Sequence, residues 1–267
     1  MESKNGIIVM KFGGAAVSTP EKFAYISEII LKKSCDYPRI VIVVSAMGKS
    51  TDELLTLAKK VHPSPPKREQ DMLLTVGERI SIALLAMALS LKNKEAISFT
   101  GSQSGIITCN HHCDAFIVEV RPYRILKALD AGKIVIVAGF QGMSMEGEIT
   151  TLGRGGSDTS AVALAAALKA EKVEFYKDVL GIFCTDPKLN RQAEVYPTLT
   201  FDEALEIAQK GAKVLHPRAI ELAKKNHLPL HVLPFEHPFS KGTLVGTRSH
   251  KQSEAQFELQ RESVHEH

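Results

Sequence analysis

The chain has 267 residues, 44% of them hydrophobic, with 33 basic against 30 acidic side chains and 6% aromatics. It can bury a sizeable core in one large or two small domains, and with no block of basic charge interleaved with aromatics, nucleic acid is not an expected partner. The longest apolar runs, Ile80 to Leu91 and Ala161 to Ala170, fall short of the roughly 20 residues of a membrane span, and no secretory signal follows the apolar Ile7 to Met10, so a cytoplasmic protein with no membrane partner is expected.

Ile7 to Phe12 reads as a strand covered on both faces, broken by Gly13-Gly14. Ser18-Thr-Pro-Glu21 starts a helix, with a hydroxyl cap, proline in the first turn and glutamate three residues after the cap. Phe23, Ile26 and Ile30 then recur at helical spacing. Arg39 to Ser45 is the second strand, leading through Ala-Met-Gly-Lys-Ser into a helix over Thr51 to Val61 that the proline cluster His62 to Pro66 ends. A long helical pattern runs from Lys67 to Lys92, interrupted at Thr75-Val-Gly-Glu78. Ala96 to Thr100 and Lys133 to Phe140 are further buried strands, separated by an irregular stretch and a helix over Pro122 to Ala131.

After a hairpin-like Gly142 to Glu148, the stretch Thr150 to Ala161 (T-T-L-G-R-G-G-S-D-T-S-A) organises the chain. Gly153, Gly155 and Gly156 let the backbone turn sharply and approach a ligand, delivering it into a helix that begins at Ser157 and Asp158 and runs to Lys169. Helix N–H groups and the Arg154 fork suit a carboxylate or phosphate, and Asp158 adds an acid able to orient a lysine or a metal. Val173 to Lys177 is a strand, and Phe201 to Lys210 and Pro217 to Asn226 are helices. Leu230 to Leu233 and Thr243 to Val245 close the sheet, and a polar tail over residues 249–267 follows the domain over 1–248. Strand–helix alternation predicts a mostly parallel α/β sheet with helices on both faces and active residues at strand carboxyl ends.

Several motifs fail on inspection. Gly48-Lys-Ser50 lacks the P-loop's earlier glycine, because that position is Val43. Gly156-Ser157-Asp158 lacks the closing glycine of a nucleophile elbow, because Thr159 stands there. Cys109 to Cys113 (C-N-H-H-C) has metal-ligand residue types without a second ligand pair, so a polar turn is expected and no metal site is assigned. Four scattered cysteines make no disulfide framework. What remains is an anion-directed set of glycine turns and lysines.

In order along the chain, K-F-G-G-A-A-V (Lys11 to Val17), S-A-M-G-K-S-T (Ser45 to Thr51), V-G-E (Val76 to Glu78), the Thr150 to Ala161 stretch, Y-K-D-V-L-G-I-F-C-T-D-P (Tyr176 to Pro187) and G-A-K-V-L-H-P (Gly211 to Pro217) resemble the motif series of the aspartokinases, within the amino-acid kinase superfamily. The resemblance spans about residue 6 to residue 248. It implies a three-layer αβα kinase domain that makes 4-phospho-L-aspartate and ADP from ATP and L-aspartate, the first step toward lysine, threonine, methionine and diaminopimelate.

By the same resemblance, Lys11 contacts the transferring phosphoryl group beside the Gly13 and Gly14 amides, and Asp158 orients Lys11. Arg154 binds a substrate carboxylate and Glu78 the substrate amino group, with Ser45, Thr51 and Ser157 as hydrogen-bonding partners. Lys177, Asp178, Phe183, Asp186, Lys188 and Lys213 fall in the nucleotide motifs, Mg²⁺ accompanies ATP, and a homodimer is expected. Two departures stand out. The family's K-F-G-G-T-S-V is here K-F-G-G-A-A-V, so Ala15 and Ala16 lack two hydroxyls and altered phosphate contacts or reduced turnover are expected. The chain also ends soon after the kinase domain, where most aspartokinases carry ACT modules, so feedback through a module of its own is not expected. A kinase of another small amino acid and a catalytically silent subunit of this fold are the alternatives.

Overall fold

The computed structural model describes residues 6–185, 192–246 and 255–259. In chain order the elements are β1 (Ile7–Phe12), α1 (Pro20–Lys33), β2 (Arg39–Val44), α2 (Ser50–Val61), α3 (Lys67–Leu74), α4 (Val76–Ser90), β3 (Ala96–Phe99), β4 (Ile106–Thr108), β5 (Ile117–Val120), α5 (Tyr123–Asp130) and β6 (Ile134–Ala138). There follow β7 (Gln141–Ser144), β8 (Ile149–Thr151), α6 (Gly156–Ala167), β9 (Val173–Lys177), β10 (Thr198–Leu199), α7 (Phe201–Gln209), α8 (Pro217–Lys225), β11 (Leu230–Pro234) and β12 (Thr243–Val245).

Eight strands form one sheet in the order β10-β12-β11-β9-β1-β2-β6-β3, parallel except where β12 runs against β11. The result is the expected three-layer αβα arrangement with a mostly parallel sheet. Side-chain alternation along β1 shows why both faces are covered. Ile8, Met10 and Phe12 enter one apolar cluster with Phe23 and Ile26 of α1 and Leu85 of α4, while Ile7 and Val9 enter the other with the alanines of α6 and Ala219 and Leu222 of α8. Lys11 shares the Ile7 and Val9 parity and so faces the α6 side.

The chain passes from β1 outward through β2 and β6, then returns after α6 to place β9 on the other side of β1. In a parallel sheet such a reversal opens a crevice beyond the strands' carboxyl ends. Lys11 pairs in register with Val43 and Phe175, so the ends of β1, β2 and β9 lie level.

Some local expectations shift. The N-cap of α1 is Thr19 rather than Ser18, and α6 begins at Gly156, one residue before Ser157. The stretch between Thr100 and Pro122 is not irregular: β4 and β5 join the hairpin β7–β8 in a second, four-stranded sheet ordered β5-β4-β7-β8. Strands of three or four residues give too little alternation to be seen in sequence. Lys67–Ser90, the α3–α4 segment, is long and apolar enough to cross a membrane, but it buries the carboxylates of Asp71 and Glu78 against the rest of the protein. Within the polar tail, residues 255–259 are ordered against β5, where Glu258 and Leu259 donate to the Ile117 carbonyl at 3.0 and 3.2 Å.

Candidate active site

Lys11 lies one residue before the end of β1, 5% exposed, and its ammonium is 2.6 Å from Asp158 Oδ1. Asp158 comes from the first turn of α6, and Lys177, the last residue of β9, reaches its Oδ2 at 3.0 Å. The helix can come this close because β6 is followed by Gly139, where a Cβ would sit 2.8 Å from that of Ser157. Burial by itself would raise the Asp158 pKa, but the two ammonium groups outweigh it and hold the carboxyl well below the usual range. Burial and the neighbouring Lys177 bring Lys11 down to about 8 against the pull of Asp158. Two cations therefore share one anion at the strand ends.

Beside this group is a cleft of about 560 Å³ whose walls include Lys11, Gly14, Ser45, Thr51, Glu78, Arg154, Ser157 and Asp158. Glu78, in the first turn of α4 and 2% exposed, accepts the Ala46 N–H on Oε1 at 3.1 Å. Its Oε2 is buried without a hydrogen-bond partner among the described residues. Burial pushes its pKa up to about 7 against the Ala46 N–H and Lys11. A buried carboxylate oxygen with a free lone pair on the rim of a cleft is suited to an incoming ammonium donor.

Gly153 and Gly155 adopt φ of +70° and +72°, and the Gly156 N–H closes the turn on the Gly153 carbonyl at 3.0 Å. The loop thereby delivers Arg154, exposed, over the opening. The structure thus gathers Lys11, Gly14, Ser45, Thr51, Glu78, Arg154, Ser157 and Asp158 around one space, with Gly13 next to the Lys11 ammonium. Of the nucleotide residues, Lys177 joins them through Asp158. Asp178 and Lys213 are exposed, and Phe183 bridges to Val195, all outside the cleft wall. Asp186 and Lys188 lie outside the described residues. Ala16 is buried at 3% in the apolar cluster of α1, and the Ala15 carbonyl accepts from Lys22 at 2.8 Å, so the missing hydroxyls leave the Lys11–Asp158 pair in place.

Sequence reasoning missed a buried hub. Asp71 on α3, fully buried, accepts from the Thr151 hydroxyl at 2.6 Å, from the Cys113 N–H at 3.1 Å and pairs with His112 Nδ1 at 2.7 Å. It ties α3, which leads into Glu78, to β8, which leads into Arg154. The spacing held a signal: Asp71, Leu74 and Glu78 stand on one helical face, so an acid occupies an apolar stripe. The Cys109 to Cys113 turn is drawn into this hub, with His111 Nδ1 3.6 Å from Cys109 Sγ. Burial and Asp71 raise the Cys113 thiol to about 11.

A model of the amino acid kinase family matches residues 6–234. Aspartokinases from a Bacillus species (strain MGA3) and from Geobacillus stearothermophilus are 53% and 54% identical over 227 residues, 85% of this chain and 55% and 56% of theirs. The chain thus spans about half the length of the curated relatives it matches. Among solved structures, aspartate kinase from Synechocystis superposes with a TM-score of 0.82 at 46% identity, over 92% of this chain and 41% of that one. E. coli aspartokinase III in complex with aspartate and ADP gives 0.82 at 27% identity, over 92% and 65%. UMP kinase from Bacillus anthracis, at 0.66 and 22% identity over 91% and 97%, shares the fold.

Proposed function

The chain belongs to the amino acid kinase family, and from that premise we propose that it transfers the γ-phosphoryl group of ATP to the side-chain carboxylate of L-aspartate, giving 4-phospho-L-aspartate and ADP. The names of its relatives and the aspartate- and ADP-bound neighbour support this reading. The observation that carries it is the charge layout of the cleft. Glu78 offers a free carboxylate oxygen to an amino group, Arg154 a fork to an α-carboxylate, and Lys11 an ammonium to the reacting end.

The nucleophile is a carboxylate, ionised at neutral pH, so the site needs no general base. Asp158, held ionised by two lysines, is an orienting group and takes no proton. One oxygen of the acceptor carboxylate forms a bond to the γ-phosphorus as the bond to the β–γ bridging oxygen breaks, and ADP leaves with that electron pair. Charge spreads over the equatorial oxygens in between, and in this reading Lys11 with the Gly13 and Gly14 amides stabilises it. Among the described residues no three metal-ligating side chains converge, and the carboxylate of Asp158 is already taken by two ammonium groups. Mg²⁺ would therefore enter with the nucleotide and would supply neutralisation of phosphate charge, with Asp158 left to Lys11 and Lys177.

Hydroxylamine trapping tests the reading. A ferric hydroxamate signal that needs both MgATP and L-aspartate is expected, and its absence at high enzyme concentration would overturn the activity. A signal with a different amino acid in a substrate panel would move the acceptor while keeping the reaction. Light scattering tests the proposed homodimer.

A further inference from the structure

We propose that Arg218, the second residue of α8, is the positioning residue for the glycine loop that carries Arg154, and that the segment 255–259 locks it in place through Glu258. The proposal rests on Arg154 as a substrate-binding residue. Arg154 itself makes no hydrogen bond or ion pair among the described residues, so its place is set by how the loop is held. Gly153 and Gly155 give that loop little conformational preference of its own.

The Arg218 side chain is 17% exposed, and its donors are spread over four partners. It donates to the carbonyl of Leu152, the fully buried residue at which the loop begins. It also reaches the Ala115 carbonyl at 2.8 Å and Asp114 Oδ1 at 3.2 Å, with its guanidinium 4.7 Å from the Phe116 ring centre. Nε and a terminal nitrogen grip the two oxygens of Glu258 at 2.8 and 3.1 Å. Glu258, its side chain 8% exposed, in turn accepts the Ile117 N–H at 2.8 Å. At the loop's other end the ring of His216 presses on Gly155, where a Cβ would stand 2.1 Å from it. The first turn of α8 and its cap thus fix both ends of Leu152–Gly155.

Only a planar fork can meet a carboxylate in two-point geometry and a carbonyl in the same plane, so lysine is no substitute at this position. Losing the fork frees the loop without touching Lys11, Asp158 or Glu78. A displacement of order 1 Å at a binding group is enough to weaken transition-state capture by as much as about a hundredfold.

The test compares Arg218→Lys and Glu258→Gln with the unsubstituted protein. In the hydroxamate assay the KM for the amino acid should rise about tenfold or more in R218K and about threefold in E258Q, with kcat and the KM for ATP within about twofold, the pattern of lost substrate positioning. In the substrate-free proteins, amide exchange over 152–156 should quicken while the later turns of α6 keep their protection. A lower melting temperature with unchanged KM and unchanged loop exchange would reduce Arg218 to a structural part and overturn the proposal. If R218K does not fold, E258Q decides alone by the same two measurements. If the unsubstituted protein forms no acyl phosphate with any amino acid, the kinase reading fails, and the exchange data still judge the clamp.

Discussion

The buried charges in the cleft wall and the outlying residues proposed to meet the nucleotide are built on different terms. Lys11, Glu78 and Asp158 are 5%, 2% and 6% exposed, each tied to a backbone group or to another charge. Asp178 and Lys213 stand in solvent, and Phe183 is half-buried on a short bridge to Val195. The difference teaches where preorganisation is concentrated. The charges proposed to meet the acceptor and the transferring group are fixed and little exposed in the unliganded protein, where an electrostatic contact is worth most. Of the residues expected to meet the nucleotide, Lys177 shares that buried pairing through Asp158, whereas the exposed Asp178 and Lys213 are screened by water and any contact they make is weak.

Lys11→Ala breaks the buried side at its strongest point. We expect kcat to fall by about a thousandfold in the hydroxamate assay, the scale of losing an electrostatic stabiliser of the transition state, with circular dichroism unchanged because Lys177 still pairs Asp158. Glu78→Gln removes the charge that meets an ammonium, and the KM for L-aspartate should rise about ten- to a hundredfold with the KM for ATP unaltered; equal loss for both substrates would erase the distinction between the two sides.

The pH profile sharpens the same contrast. Glu78, raised to about 7, must be ionised to hold the amino group, so kcat/KM for the amino acid should fall about tenfold per pH unit below 7. Lys11, lowered to about 8, must be protonated, so the other limb should fall above 8. A profile flat between pH 5 and 10 would contradict both shifts. Smallest is Lys213→Ala on the exposed side, with the KM for ATP rising by no more than about fivefold, the scale of one solvated ion pair. A hundredfold loss there would show that the nucleotide side is as preorganised as the other.

Most of the large sheet was legible because its strands are mainly apolar and punctuated by glycine: β1, β9 and β12 begin and end where the residues suggest, whereas the two-residue edge strand β10 was too short to be read. The small sheet was hidden because Ile106–Thr108 and Ile117–Val120 are shorter than the pattern that would reveal them. In the candidate site, Arg154 sits in a glycine turn, and Lys11 and Asp158 sit on the strand and helix that such turns border, which local sequence displays. Asp71, His216, Arg218 and Glu258 act across 40 to 141 residues of chain, and only the fold brings them to the segments that frame the cleft. Pairing over such distances leaves no local trace beyond an acid on an apolar helix face.

Two ammonium groups around Asp158 leave a surplus of positive charge, only partly offset by Glu78, at the little-exposed wall of the cleft. That surplus does not ask for adenosine. Inorganic pyrophosphate and tripolyphosphate carry the same kind of complement, and simple polyanions should compete with ATP at the strand ends while leaving the grip on the amino acid's backbone groups untouched.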